Sequence, residues 1–119
     1  MNILAVDDST TNNVLLEAVL NIHGYNTFIA ENARNADKVL EEENIDLILL
    51  DLLMPGIDGF QFLESLGDKG KGDIPVLVIS AANQQENIKK AKDLGAVGFI
   101  DKPIDLDILI QKIDQLFKN

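Results

Sequence analysis

The chain has no cysteine, which rules out a disulfide framework and any thiolate metal site. It is also short of basic residues: 10 Lys and Arg stand against 20 Asp and Glu, giving a formal charge of −10. Without an excess of cations to displace phosphate counterions, nucleic acid is not an expected partner. The lysines gather loosely at Lys69 and Lys71 in a glycine-rich stretch, and at Lys89, Lys90 and Lys92 on what reads as a solvated helix face. Neither group makes a phosphate-backbone footprint. No apolar run approaches the length of a membrane span, so no membrane partner is expected. Met1-Asn2-Ile3-Leu4 lacks basic residues and turns acidic at once, unlike a secretory leader. A cytoplasmic setting is the expectation. What is present is ordinary globular composition, 46% hydrophobic and 25% charged over 119 residues. That is enough for one domain, residues 1–119, to bury a core without staples.

In order, Asn2 to Val6 is a short apolar run that ends in Asp7-Asp8. Ser9 and Thr10 supply helix-capping chemistry. From Asn12 to His23 the residues Val14, Leu15, Ala18, Val19 and Ile22 follow helical spacing and are the expected buried stripe, and Gly24 ends the helix. Asn26 to Ala30 is a more polar strand, expected at a sheet edge. Asn32 can cap a helix that buries Ala33, Ala36, Val39 and Leu40 while Glu41, Glu42 and Glu43 face water. Leu47 to Leu50 is apolar throughout and runs into Asp51, then Met54-Pro55-Gly56, which cannot continue a strand. Asp58 or Gly59 starts a short helix through Phe62, Leu63 and Leu66. A polar glycine-rich loop, 67–73, leads to an apolar strand from Pro75 to Ile79 that ends at Ser80. Asn83 is the expected start of a helix to Leu94 with a thin stripe of Ile88, Ala91 and Leu94. Val97 to Ile100 is a fifth strand, ending at Asp101-Lys102-Pro103. Asp105 caps a last helix, in which Leu106, Leu109, Ile110, Ile113, Leu116 and Phe117 are strongly amphipathic.

Five strands alternating with five helices predict an α/β, doubly wound parallel sheet with helices on both faces, flavodoxin-like, with strand order 2-1-3-4-5. In such a sheet every strand ends at one edge. Four of the five deliver polar groups there: Asp7 and Asp8, Asp51, Ser80 and Lys102. Carboxylates gathered closely repel one another unless a cation is present. An all-oxygen donor set without His or Cys calls for a hard cation, Mg²⁺ by preference. A carboxylate nucleophile with a divalent cation, a lysine and a hydroxyl makes a site for a transferring phosphoryl group, with Asp51 forming an aspartyl phosphate.

Four pieces of this sequence carry a resemblance. They are Asp7-Asp8, the block Asp51-Leu-Leu-Met-Pro-Gly-Ile-Asp-Gly59, Ser80-Ala81, and Phe99-Ile-Asp-Lys-Pro103, each following its own strand. Together they resemble the response-regulator receiver domain of two-component signalling, of the chemotaxis-regulator type, along essentially the whole chain. The resemblance implies that Asp51 is the phosphoacceptor, loaded from a histidine kinase or phosphotransfer protein. It implies Asp8 as a direct Mg²⁺ ligand, Asp7 as one acting partly through water, and the backbone carbonyl of Leu53 as a third; Mn²⁺ is a possible substitute. Lys102 would pair with the phosphoryl group, Ser80 would move toward it, and Phe99 would swing inward behind. The Lys102–Pro103 bond is expected to be cis. The fourth helix, fifth strand and fifth helix would then present an altered surface to an output partner or domain. Leu53 and Ala82 flank the path of an attacking water, which neither can orient, and slow self-dephosphorylation is expected.

Other readings meet specific obstacles. A phosphatase of the haloacid-dehalogenase type needs a second Asp two residues after the nucleophile, where this chain has Leu53. A flavodoxin-like cofactor binder would repel its phosphate with Asp7 and Asp8. A degenerate receiver, acting only as an interaction module, would lack Asp51, an acidic-pair residue or Lys102. The chain is accordingly not expected to be an enzyme beyond its own phosphorylation and dephosphorylation. A stand-alone receiver and one cut from a longer regulator or hybrid kinase are equally compatible with its ending at Asn119.

Overall fold

The computed structural model describes residues 1–54 and 57–117. Five parallel strands form the main sheet: β1 (Asn2–Val6), β2 (Asn26–Ala30), β3 (Leu47–Leu50), β4 (Val76–Ser80) and β5 (Gly98–Asp101). Their order is β2-β1-β3-β4-β5, as the alternating sequence pattern predicts. The helices are α1 (Thr10–Ile22), α2 (Ala33–Glu42), α3 (Gly59–Asp68), α4 (Gln85–Asp93) and α5 (Leu106–Phe117).

Successive residues of a strand point to opposite faces, and the strand sequences fill both. Leu4, Val6, Ile48, Leu50, Val76 and Val78 share one buried layer with Ala36 and Leu40 of α2, Phe62, Leu63 and Leu66 of α3, and Ala91 of α4. Ile3, Ala5, Leu47, Leu49, Leu77 and Ile79 share the other with Leu16 and Leu20 of α1 and Leu109, Ile110 and Ile113 of α5. This two-sided burial is why β1, β3 and β4 read as continuous apolar runs. Each large side chain so buried contributes roughly 1.5–3 kcal/mol over leaving it in water. β2, at the sheet edge, is only partly buried, as its mixed composition requires.

Helix starts follow the capping residues. The side chains of Ser9, Asn32 and Asp58 accept from backbone N–H groups of α1, α2 and α3, and Asp105 does so for Asp107 and Ile108 of α5. Gly24 follows α1 at φ 87°, a left-handed conformation that costs glycine nothing. Gly59 opens α3 against the preceding chain: a Cβ there would lie 2.6 Å from Leu52 Cα.

Three local expectations are corrected. The buried face of α1 is Asn13, Leu16 and Leu20. Val14, Leu15 and Ile22 are instead 63%, 50% and 81% exposed. α1 is apolar over much of its circumference, so periodicity alone did not select the face that meets the sheet. α4 begins at Gln85 behind Gln84, with no side-chain cap from Asn83. β5 starts one residue later than expected, leaving Val97 48% exposed. After Asp51 the chain also forms a short antiparallel pair, Leu53–Met54 with Ile57–Asp58, outside the main sheet. Pro55 and Gly56, expected as part of the stretch that cannot continue the strand, lie outside the described residues, as do Lys118 and Asn119.

Candidate functional site

β1 and β3 are neighbours with Val6 opposite Leu50, so Asp7 and Asp51 leave the sheet side by side. Both are buried, at 4% exposure each, while Asp8 is exposed at the rim. A carboxylate oxygen from each of Asp7, Asp8 and Asp51 lies within 4.8 Å of the others. Lys102 follows β5, two strands away from β3, and its long stem reaches back over the edge. Its Nζ donates to Asp7 Oδ2 and to Asp51 Oδ2, both at 2.9 Å.

The two buried aspartates are held in matching ways. Asp7 Oδ1 accepts from the Ser9 N–H at 2.9 Å, and Asp51 Oδ1 accepts from the Leu53 N–H at 3.0 Å. Each is a side-chain turn onto the backbone two residues on. Each carboxylate thus has one oxygen fixed by its own loop and the other by the lysine. Desolvation pulls the Lys102 pKa down, but the hydrogen bonds and charges of Asp51 and Asp7 outweigh it, and the net direction is upward. The ammonium is therefore a fixed positive charge at neutral pH.

Three carboxylates against one ammonium leave two net negative charges in a space a few ångströms across. The donor set is all oxygen, and the deficit equals the charge of one divalent cation. A hard ion such as Mg²⁺ fits both conditions.

The remaining expected residues are placed as follows. Ser80 is fully buried at the end of β4, and its Oγ accepts from the Ala82 N–H at 3.1 Å. Among the described residues its hydroxyl makes no hydrogen bond as a donor. Leu53 is 58% exposed and touches Asp51 through its N–H. Phe99, on β5, is half-buried against the apolar layer that contains α3 and α4. The Lys102–Pro103 bond is cis.

One residue escaped the sequence reading. Asn13 is 4% exposed, and its Nδ2 donates to the Asp7 carbonyl at 2.8 Å. The available signal was its spacing from Leu16 and Leu20, three and seven positions on, which a stripe of apolar residues alone does not reveal.

No helix among the described residues is long and apolar enough to cross a membrane. A family model for the response regulator receiver domain matches residues 3–114. The protein PilH of Pseudomonas aeruginosa is 34% identical over 113 residues, which cover 94% of this chain and 93% of that one. The sporulation initiation phosphotransferase F of Bacillus subtilis is 37% identical over 105 residues, 88% of this chain and 84% of that one. Among solved structures, the chemotaxis protein CheY4 of Vibrio cholerae gives a TM-score of 0.91 at 26% identity, with 98% of each chain covered.

Proposed function

Because the chain belongs to the response regulator receiver domain family of two-component regulatory systems, we propose that it accepts a phosphoryl group from a phosphohistidine onto Asp51. The observation that carries this reading is the Lys102 bridge between Asp7 and Asp51 beside the exposed carboxylate of Asp8. The name of the Bacillus relative, a phosphotransferase, supports the same chemistry.

In the transfer, an Asp51 carboxylate oxygen forms a bond to phosphorus as the bond from phosphorus to the histidine ring nitrogen breaks. The electron pair leaves with that nitrogen, and the product is an acyl phosphate. Asp7, Asp8, Asp51 and the Leu53 carbonyl would hold Mg²⁺, or Mn²⁺ in its place. When bound, the ion supplies positive charge where negative charge develops on the phosphoryl oxygens. Lys102 exchanges one carboxylate partner for a phosphoryl oxygen, and its fixed charge stabilises the transferring group. Ser80 donates its hydroxyl proton to the same group.

Movement of Ser80 opens space that Phe99, half-buried on β5, turns to fill. The surface of α4, β5 and α5 then changes, and an output partner or domain reads it. α4 suits this role: Ala91 is its one buried residue, and on its outer side Lys90 Nζ lies 4.4 Å from the Phe60 ring centroid. The switch is a shift between populations, driven by contacts the phosphoryl group makes in one state only. The domain spans residues 1–119, works in the cytoplasm, and catalyses only its own phosphorylation and dephosphorylation.

Phosphoryl uptake from a small-molecule donor tests the reading together with thermal unfolding. Mg²⁺ should raise the melting temperature of the wild type by relieving carboxylate repulsion, and uptake should require it. Asp8→Ala should lose both responses; an undiminished Mg²⁺ response in Asp8→Ala would remove Asp8 from the ligand set.

A further inference from the structure

Four polar or charged side chains are buried among the described residues: Asp7, Asp51, Ser80 and Asn13. The chemistry proposed above uses the first three and gives Asn13 no part. Asn13 nonetheless sits on the inner face of α1 in line with Leu16 and Leu20, where an apolar residue would pack. Its Oδ1 is buried with no hydrogen-bond partner among the described residues. An orphaned buried acceptor destabilises a fold, and asparagine is a poorer helix former than leucine or methionine. The position therefore carries a cost, which only the contact made by its second polar group offsets. Costs of this kind collect where a site demands them.

What Asn13 supplies is its other half. Nδ2 donates to the Asp7 carbonyl at 2.8 Å. Asp7 is tied at every other polar group: its N–H donates to the Ala30 carbonyl, Oδ1 accepts from Ser9, and Oδ2 accepts from Lys102. The Asp7 carbonyl and the Asp8 nitrogen belong to one rigid peptide plane. Holding that carbonyl fixes the direction in which the chain leaves toward Asp8. Asp8 needs such control, because its carboxylate makes no hydrogen bond among the described residues, yet it comes within 4.8 Å of the buried pair.

We infer that Asn13 is a positioning residue: by clamping the Asp7–Asp8 peptide it sets the spacing of the two carboxylates and hence the affinity for the divalent cation. The inference rests on the metal reading above. Outer-sphere partners that orient ligands in this way typically change metal affinity about 10–100-fold when removed.

The test is Mg²⁺ binding followed by calorimetry and by the Mg²⁺-induced rise in melting temperature, on wild type, Asn13→Leu, Asn13→Ala and Leu16→Val. Leu16→Val loosens the same helix face without touching a polar group. Asn13→Leu should weaken Mg²⁺ binding about tenfold or more. Its metal-free melting temperature should move by no more than a few degrees, because one orphaned acceptor, Asn13 Oδ1, is exchanged for another, the Asp7 carbonyl. Asn13→Ala should weaken binding to the same degree and carries the test if Asn13→Leu does not fold. Leu16→Val should lower the melting temperature with Mg²⁺ affinity unchanged. Wild-type affinity in both Asn13 variants, or an equal loss in Leu16→Val, would overturn the assignment. Absence of Mg²⁺ binding in the wild type would overturn the metal reading itself, which is a separate outcome.

Discussion

Lys102→Met keeps most of the side-chain stem and deletes one positive charge, so it isolates what the ammonium does. Nζ lies 2.9 Å from both Asp7 Oδ2 and Asp51 Oδ2, whose side chains are 6% and 5% exposed. Removing one partner of a buried ion pair costs about 3–5 kcal/mol. The lysine side chain is 19% exposed, so water reaches the site and about 3 kcal/mol is the working figure. For a domain of this size each kcal/mol moves the melting temperature by roughly 3–5 °C. Without metal, the variant should therefore melt about 10–15 °C below the wild type. Mg²⁺ reverses the comparison, because the cluster now carries three net negative charges rather than two. One charge fewer at ~5 Å from a divalent ion is worth ~1.7 kcal/mol even in water-like surroundings. Mg²⁺ affinity should thus rise about tenfold or more. Phosphoryl uptake should nevertheless fall by about 10²–10³, the usual effect of losing one preorganised group at a developing charge. Scanning calorimetry with a Mg²⁺ titration, and single-turnover uptake from a small-molecule donor, give all three readings. A metal-free melting temperature within a degree or two of wild type, or weaker Mg²⁺ binding, would refute the electrostatic reasoning.

Two further outcomes follow from separate parts of the molecule. The single tyrosine, Tyr25, donates its hydroxyl to Asp114 Oδ1 at 2.7 Å, linking the start of β2 to the end of α5. Its pKa is pushed up to about 12, first by that hydrogen bond, then by burial and by the charge of Asp114. The link contributes fully below the ordinary tyrosine value near ~10, and is lost as pH rises through about 12. In Asp114→Asn the phenolate absorbance titration should return toward the ordinary value, and an unchanged midpoint would show that the carboxylate is not the cause. At the proposed phosphoryl site, Leu53 and Ala82 offer no side-chain hydrogen bond to orient a water. The phosphorylated protein should therefore persist for minutes or longer, Leu53→Asn should shorten its lifetime, and loss of the wild-type phosphoryl group within seconds would contradict the role given to these positions.

The five-stranded order was legible because β1, β3 and β4 are buried on both faces and so spell continuous apolar runs, each stopped by a polar group at the same edge. The residues that meet there were legible for the same reason. Once Val6 and Leu50 are neighbours, Asp7 and Asp51 must be too. The face of α1 was not legible: Val14, Leu15 and Ile22 form as good a stripe on paper as Leu16 and Leu20 do, and only docking against the sheet decides between them. Asn13 was hidden by that same choice, since a polar residue is assigned to water until the helix is rotated by its partners. The length of Lys102's reach was also beyond the sequence. Its position after β5 puts it at the correct edge, but position alone does not show that one ammonium bridges both carboxylates. The short pair formed by Leu53–Met54 and Ile57–Asp58 was missed because two-residue strands leave no periodic signal.

The central claim is that Asp51 is a Mg²⁺-dependent phosphoryl acceptor. It is tested most directly by the intact mass of the protein after incubation with a small-molecule phosphodonor. Wild type should gain the mass of one phosphoryl group with Mg²⁺ present and none after chelation, and Asp51→Asn should gain none in either condition. A mass gain that persists in Asp51→Asn, or that appears without the metal, would contradict it.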